Sequence, residues 1–157
     1  MRLSLAEQAL SGSWRARAIG SDDVHALGAL MLAAYRGTVD NQGESEADAV
    51  AEVERTIGGG YGPLLGDGSF VVEEGGWIVG ASMTTLFHSD PFLTYLVVDP
   101  EMQRCGIGTF LVAASGNALL SAGYTTLDLF VTEANEPAVN LYRKLGFRVV
   151  DRVTEQP

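Results

Sequence analysis

The chain has little cysteine and little positive charge. Its 157 residues include one cysteine, Cys105, and 10 Lys and Arg stand against 20 Asp and Glu, which gives a formal net charge of -10. One cysteine forms no internal disulfide, so we expect a reducing, cytoplasmic location. The acidity argues against nucleic acid as a partner, because that binding depends on Lys and Arg neutralising phosphates.

Long apolar runs are also missing. No uniformly apolar stretch reaches the length of a membrane span, and residues 1–10 carry Glu7 inside an apolar run, unlike a secretory signal. We therefore expect no membrane partner. No linker-like stretch and no internal repeat divides the sequence, of which 46% is hydrophobic, so residues 1–157 are predicted to form a single domain.

The negative charge is unevenly distributed. Residues 1–98 hold 13 acidic and 5 basic side chains, whereas residues 99–157 hold 7 and 5. An acidic first half favours a cationic partner. The same surplus of acidic residues is equally typical of a protein whose negative charge keeps it soluble, so the composition leaves both interpretations open.

The most informative stretch begins at Val98 and reads VDPEMQRCGIGTFL. The apolar run before it stops at Asp99-Pro100, and an apolar pattern of helical period starts after Gly106 and Gly108, which predicts a strand, a tight loop and a helix. The first N–H groups of a helix lack partners and lie at the positive end of its dipole, and glycine lets the backbone approach a ligand closely. The loop therefore suits an anion such as a phosphate.

Two better-known phosphate motifs are excluded. The dinucleotide pattern G-x-G-x-x-G needs a third glycine where Leu111 stands, and a Walker-type G-K-[ST] occurs nowhere in the sequence. By itself, the pair Gly106 and Gly108 is equally typical of close helix packing. The glycines of residues 58–62 precede a turn signal rather than a helix, so we interpret them as a flexible connection.

Two segments together resemble the GNAT superfamily of acetyl-CoA-dependent N-acetyltransferases. The stretch from Val98 to Leu111 is similar to the family's acyl-CoA pyrophosphate loop, V-x-P-x-x-[QR]-[GR]-x-G-[IVL]-[GA]-x-x-L. The stretch from Asn135 to Phe147 resembles the family segment N-x-x-A-x-x-L-Y-x-x-x-G-F. The close resemblance covers about the C-terminal third of the chain.

The resemblance implies an α/β (α+β) fold, a three-layer α/β/α sandwich around a mixed, mostly antiparallel sheet that splays between its fourth and fifth strands. Hydrophobic periodicity and turn signals predict a matching order of elements. In order, these are a strand over 13–19, a helix over 24–35, a helix capped by Ser45, three antiparallel strands over 69–73, 77–87 and 92–98, a helix over 107–120, a strand over 126–131, a helix from Asn135 to Gly146 and a strand over 147–153.

The resemblance also implies acetyl-CoA as acyl donor, no metal, and a primary amine as acceptor, and it leaves a homodimer open because dimers are frequent in the family. Cofactor contacts are implied for the strand before the loop, the loop itself and the last helix. They are Leu96, Val97, Val98, Gln103, Arg104, Cys105, Gly106, Ile107, Gly108, Thr109, Asn135 and Tyr142.

Three of these residues have alternative interpretations. Tyr142 aligns with the family tyrosine that donates to the departing thiolate or positions it, but its ring is equally suited to packing under the last strand. Asn135 is predicted to cap a helix as well as to meet the pantetheine arm. Cys105 has no base predicted beside it, so its thiol is interpreted as structural.

The general base is the least determined residue of the predicted site. Glu133 is the preferred candidate, because it follows the strand that flanks the predicted cleft, where a carboxylate would accept the amine proton through water. His88 has a suitable side chain, and Asp90 is near it, but both lie in a predicted turn. For all three, a solvated or turn-forming role is the alternative.

These observations predict an N-acetyltransferase that moves an acetyl group from acetyl-CoA to a primary amine by direct attack in a ternary complex. The acidic first half favours a cationic small molecule as acceptor, with residues 35–62 shaping its pocket. Two alternatives stay open: a catalytically silent acyl-CoA-binding sensor or regulatory module, and a protein N-terminal acetyltransferase.

Overall fold

Six strands and four helices make up the fold in the computed structural model, which describes residues 1–10, 12–38 and 41–150. Short 3₁₀ turns connect some of them. In chain order the elements are β1 (Arg2–Ser4), β2 (Ala16–Ala18), α1 (Val24–Tyr35), α2 (Glu46–Ile57), β3 (Phe70–Glu74), β4 (Trp77–Phe87), β5 (Asp90–Val98), α3 (Ile107–Ser121), β6 (Thr126–Asp128) and α4 (Glu136–Lys144).

The strands form one mixed sheet in the order β1-β6-β5-β4-β3-β2, antiparallel except for the pair β5 and β6. Helices α1 and α2 bury Leu27, Met31 and Val53 against one face, and α3 buries Ile107 and Leu111 against the other. The predicted three-layer sandwich is therefore confirmed. Among the described residues, no helix is both long and apolar enough to cross a membrane.

The parallel pair β5 and β6 opens almost at once. Phe92 and Asp128 are the one register pair that joins them, and β6 ends there while β5 continues to Val98. The backbone of β5 beyond Phe92 therefore has no strand beside it on this side within the described chain. This is the predicted splay, and it falls between the fifth and sixth strands because β1 precedes the strands that the sequence predicted.

A β-bulge in β5 changes which face its side chains occupy. Met83 of β4 pairs with Tyr95, but the next residue, Thr84, pairs with Leu93, so Thr94 is an extra residue. Leu93 consequently packs on the α3 side, and Tyr95 packs on the side of α1 and α2. The bulge thus directs Tyr95 towards the space beneath α2.

The predicted last strand over 147–153 is wrong for its described part. Residues 147–150 form a single bridge, in which Arg148 exchanges backbone hydrogen bonds of 2.7 and 2.9 Å with Arg2. Strand β1 was not predicted, and it occupies the edge of β6 through three antiparallel pairs, reinforced by an ion pair of 2.7 Å between Arg2 and Asp128. Residues 151–153 lie outside the described residues.

Candidate active-site groove

A groove of about 1420 Å³ follows the opening between β5 and β6 and continues beneath α1 and α2. Its walls are β5, the loop before α3, the first turn of α3 and residues 130–144. It brings together most of the residues that the sequence predicted for the site. These are Leu96, Val97, Val98, Gln103, Arg104, Gly106, Ile107, Gly108, Thr109, Asn135 and Tyr142.

The loop before α3 presents free backbone donors to this groove. Gly106 caps the helix with φ 86°, and Arg104 two residues earlier has φ 68°, a left-handed conformation that few non-glycine residues adopt. The first bond of the helix runs from the Phe110 N–H to the Gly106 carbonyl at 2.9 Å. The N–H groups of residues 107–109 therefore have no acceptor inside the described helix, and this is the turn for which the sequence predicts an anion site.

The space in front of Gly108 is open. A Cβ on Gly108 would meet the side chains of Leu141, Val98 and Leu96 no closer than 3.9 Å, so the chain itself leaves room there. Arg104 and Lys144 add two cationic side chains to this end of the groove. Unpaired N–H groups, an uncovered backbone and two cations together fit a diphosphate.

Cys105 stands outside the described residues that line the groove, and its side chain is exposed. Its carbonyl accepts a hydrogen bond of 3.2 Å from the indole N–H of Trp14, which ties the loop to the segment before β2. On the other side of the loop, the Asp99 carboxylate accepts the Glu101 N–H at 2.9 Å. These two bonds hold the loop from outside the groove.

The strand edge at Leu96–Val98 lies beside the loop. On one side this segment pairs with β4, where Leu96 faces Ser82 and Val98 faces Gly80. On the other side, where β5 and β6 splay apart, its backbone groups face the groove. An extended ligand with amide groups would add to this edge as a strand does.

Helix α4 forms the opposite wall. The Asn135 side chain accepts the Ala138 N–H at 3.4 Å, so Asn135 is a helix cap that also lines the groove. The Tyr142 ring packs edge-on against Phe147 with ring centroids 5.6 Å apart, and Tyr142 lines the groove as well. Both residues therefore combine a structural role with a place in the groove lining.

Burial raises the pKa of Tyr142 to about 12. A raised pKa means that the phenol keeps its proton as the pH rises, so Tyr142 is a hydrogen-bond donor throughout the neutral and mildly alkaline range. A protonated phenol at the groove wall is chemically suited to stabilise a departing anion.

None of the three predicted base candidates belongs to the described residues that line the groove. Glu133 is exposed in the turn before α4. His88 and Asp90 lie at the hairpin between β4 and β5, where the His88 ring packs against Phe87 at 4.2 Å. The groove does contain a carboxylate that distant side chains hold in place, and it comes from α2.

This carboxylate belongs to Glu52, a residue that the sequence did not single out. The Tyr61 hydroxyl donates to Glu52 Oε2 at 2.6 Å, and the Tyr95 hydroxyl donates to the same oxygen. The Glu52 side chain is 26% exposed, and Arg55 Nε lies 4.0 Å from its other oxygen. Because Tyr95 is 43 residues away along the chain, no local sequence signal indicated this cluster.

The two phenols are held as donors. Burial, followed by the hydrogen bond to Glu52, raises the pKa of Tyr95 far above its usual value. The hydrogen bond to Glu52 is the main cause that raises the pKa of Tyr61. Both hydroxyls therefore stay protonated and fix the position of the carboxylate.

Local sequence features position α2 so that Glu52 meets the groove. Ser45 and Asp48 form a reciprocal capping box, with bonds of 3.1 and 2.9 Å, that begins the helix. Further along, Gly28 of α1 lies so close to Val50 that a Cβ would approach its side chain to 2.6 Å. The cap and this close approach fix the start of α2 and its position against α1.

Among the residues that the structure describes, no three His, Cys, Asp or Glu side chains come together as a metal site would require. The groove instead has two chemically distinct ends. One end offers backbone N–H groups with Arg104 and Lys144, and the other offers Glu52 with two tyrosine hydroxyls.

Similarity to known proteins agrees with this arrangement. A mycothiol acetyltransferase from Thermomonospora curvata is 36% identical over 94 residues, which cover 57% of this chain and 31% of that protein. The peptidyl-lysine N-acetyltransferase YjaB of Escherichia coli is 42% identical over 57 residues, or 36% of this chain and 35% of YjaB. The chain thus spans about a third of the length of each of these relatives.

Solved structures match over most of the chain. The PaiA N-acetyltransferase of Thermoplasma acidophilum, in complex with coenzyme A, superposes with a TM-score of 0.72 at 18% identity, covering 89% of this chain and 92% of that one. Aminoglycoside N-acetyltransferase AAC(6')-Iy, in complex with CoA, gives 0.69 at 17% identity, with 96% and 98% covered. At this level of identity the two likenesses establish the fold.

The family assignment rests on a longer match. The profile of the acetyltransferase (GNAT) family matches residues 40–147, which include α2, the loop before α3 and nearly all of the groove. The family that the sequence predicted is therefore confirmed. This chain belongs to the acetyltransferase (GNAT) family.

Proposed function

We propose that this chain transfers an acetyl group from acetyl-CoA to a primary amine of a cationic small molecule, by direct attack within a ternary complex. The observation that carries the proposal is the continuity of one groove from the anion-binding turn of α3 to Glu52. Family membership supports the class of reaction. The charges of the groove support the class of acceptor.

The donor end of the groove is suited to hold the nucleotide part of acetyl-CoA. The N–H groups of residues 107–109 would bind the diphosphate, with Arg104 and Lys144 contributing charge. The backbone of Leu96–Val98 would pair with the amides of the pantetheine arm, and Asn135 would contact the arm from α4. When bound, acetyl-CoA supplies a thioester whose carbonyl carbon is the electrophile.

Tyr142 is the residue that we assign to the leaving group. Tyr142 lines the groove, and burial raises its pKa to about 12, so its hydroxyl holds its proton. A departing thiolate gains negative charge on sulfur, and a hydrogen bond or proton from the Tyr142 oxygen stabilises that charge. The ring packed on Phe147 restricts the direction in which the hydroxyl points.

Direct attack is supported by the position of the chain's one cysteine. Cys105 is exposed and stands outside the described groove lining, so its thiol is badly placed to carry an acetyl group. The acceptor nitrogen, as the free amine, attacks the thioester carbon with its lone pair, the carbon–sulfur bond breaks, the sulfur leaves as a thiolate that Tyr142 stabilises or protonates, and the extra proton on nitrogen passes to water.

The acceptor end favours a cation. Three carboxylates, those of Glu44, Asp48 and Glu52, line the groove there against the single guanidinium of Arg55. The names of the two relatives differ, since one refers to mycothiol and the other to peptidyl lysine. The charge of this pocket therefore carries the choice of a cationic amine.

A thiol-release assay with acetyl-CoA tests the proposal. Spermidine, kanamycin, free lysine and a lysine-containing peptide serve as acceptors. Wild-type protein is expected to turn over at least one small cationic amine faster than the peptide. Tyr142→Phe should lower kcat by about a hundredfold, in the range of general acid catalysis, while the dissociation constant for CoA stays unchanged.

Tyr124→Phe is the matched control, since Tyr124 lies beyond the far end of α3 and outside the described groove lining. It should retain wild-type turnover. Thermal stabilisation by CoA without turnover of any acceptor would contradict the proposal and favour a silent acyl-CoA-binding module. Preference for the peptide would contradict the small-molecule acceptor.

A further inference from the structure

Glu52 differs from the other carboxylates that line the groove. The Glu44 carboxylate accepts the backbone N–H of Gln42 at 3.2 Å, and that of Asp48 accepts the backbone N–H of Ser45 at 2.9 Å. These two therefore support the local chain at the start of α2. Glu52 is instead held by side chains from other parts of the fold.

The hydrogen bonds of Glu52 are asymmetric. Both phenols, Tyr61 and Tyr95, donate to Oε2, whereas Oε1 has Arg55 Nε at the limiting distance of 4.0 Å. The Arg55 side chain is 63% exposed, so this pair is weak and readily exchanged. An ionised carboxylate accepts about four hydrogen bonds. Oε1 consequently keeps acceptor capacity for a donor that enters the groove.

Glu52 also lies at a defined point along the groove. Its partner Tyr95 comes directly before Leu96, the first residue of the strand edge that we assign to the pantetheine arm. The bulge at Thr94 turns Tyr95 towards α2, so the hydroxyl reaches Glu52 instead of the α3 side. Through Tyr95, the Glu52 carboxylate is anchored to the residue that directly precedes Leu96–Val98 in β5.

Aromatic side chains complete the surroundings of this carboxylate. The Tyr35 ring packs edge-on against Tyr95 with ring centroids 6.4 Å apart, and both residues line the groove with Glu52. Aromatic rings attract cations through their negative faces. A carboxylate flanked by tyrosines suits an ammonium group better than an anion or an uncharged ligand.

We propose that Glu52, held in place by Tyr61 and Tyr95, is the binding site for the ammonium group of the acceptor. The inference rests on the proposed transfer to an amine and adds the residue and the ligand chemistry of the acceptor subsite. Glu52 Oε1 accepts a charge-assisted hydrogen bond from the ammonium nitrogen. Tyr61 and Tyr95 are positioning residues, since they act through Glu52.

Calorimetric titration of the CoA-saturated protein with spermidine tests the subsite. Glu52→Gln keeps the shape of the side chain and its bonds to the phenols but removes the charge. Its dissociation constant for spermidine should rise by about ten- to hundredfold, as the loss of a charged hydrogen bond predicts. Its dissociation constant for CoA should not change.

Glu54→Gln is the matched control, because Glu54 is on the same helix, is exposed, and stands outside the described groove lining. It removes the same charge from the whole protein and should bind spermidine as the wild type does. Equal spermidine affinity in Glu52→Gln and wild type would overturn the proposal. So would an equal loss in the two variants, which would indicate a general charge effect.

A double-mutant cycle tests the positioning role. Tyr61→Phe alone should weaken spermidine binding several-fold without changing the melting temperature of the CoA complex. In the Glu52→Gln background it should have no further effect, because Tyr61 acts on the bound ammonium through Glu52. Additive losses would overturn the positioning role of Tyr61.

The two proposals fail in different ways. If the wild type releases no thiol with any amine, the proposed transfer is contradicted, and the titration still decides the subsite. Spermidine binding that depends on Glu52 would then support an ammonium site in a protein without transferase activity. Absence of spermidine binding by the wild type would overturn the subsite even if other acceptors turned over.

Discussion

The two ends of the groove are built in different ways. The donor end uses the main chain of one contiguous stretch, residues 103–109, with glycines where a ligand must approach. The acceptor end uses side chains from separate parts of the fold, with Glu52 on α2, Tyr61 after it and Tyr95 on β5. A contiguous site leaves a motif in the sequence, and a site assembled from distant residues does not.

The ends also differ in charge. Arg104 and Lys144 line the donor end, and three carboxylates line the acceptor end. The surplus of acidic residues in the first part of the sequence therefore has a counterpart inside the groove. A substitution that belongs to one end should leave binding at the other end intact, and this independence makes the comparison testable.

The largest expected effect concerns the donor end alone. Gly108→Val should raise the dissociation constant for CoA by about a hundredfold or more. The branched side chain would keep the diphosphate away from the backbone, so that two or more charged hydrogen bonds could not form. A Cβ there meets Leu96, Val98 and Leu141 no closer than 3.9 Å, so the chain leaves room for the first carbon of the side chain. Calorimetry with CoA and thermal unfolding measure the two properties.

Gly108→Ala provides the matched control, because the family pattern allows glycine or alanine at this position. It should bind CoA within a few-fold of the wild type. Spermidine affinity should be unchanged in both variants. Normal CoA affinity in Gly108→Val would show that the first turn of α3 is not part of the CoA site.

A smaller effect is expected from the cap that begins α2. Ser45→Ala removes the bond from the Ser45 hydroxyl to the Asp48 N–H and should lower the free energy of unfolding by about 1 kcal/mol. Since α2 carries Glu52, spermidine affinity should fall several-fold while CoA affinity is retained. Calorimetry and chemical denaturation measure these changes.

Ser121→Ala is a suitable comparison for that change, because Ser121 is an exposed serine at the end of α3. It should leave the unfolding free energy and both affinities close to wild-type values. If Ser45→Ala weakened the binding of CoA and the binding of spermidine equally, the two ends would not be independent.

The smallest expected effect concerns the pH dependence of kcat, which should stay flat in the alkaline range. Tyr142 has a pKa of about 12, whereas an ordinary tyrosine ionises near pH 10. Because the raised pKa keeps the proton on the phenol, kcat should not fall between about pH 8 and about pH 10. A fall by half near pH 10, absent in Tyr142→Phe, would show that the hydroxyl ionises normally.

Local signals predicted the elements that local sequence controls. Helix α1 occupies the predicted residues, the capping box at Ser45 begins α2, and the strand, loop and helix around Gly106 are present. In each case the apolar period and the terminating residues lie within one short stretch of chain. The family pattern indicated the donor end for the same reason.

Features that depend on tertiary pairing were missed. Strand β1 has three residues and forms because β6 and Arg148 lie on its two sides. The bulge at Thr94 depends on the register between β4 and β5. Glu52 has no local feature that separates it from the exposed carboxylates of α2, since the tyrosines that bind it come from outside the helix.

A crystal structure of the protein with coenzyme A and spermidine tests the central claim most directly. The arrangement proposed for the two ends predicts the diphosphate within hydrogen-bond distance of the N–H groups of residues 107–109, the arm along Leu96–Val98, and an ammonium nitrogen at Glu52 Oε1. A diphosphate bound away from the first turn of α3, or an acceptor nitrogen remote from Glu52, would contradict it.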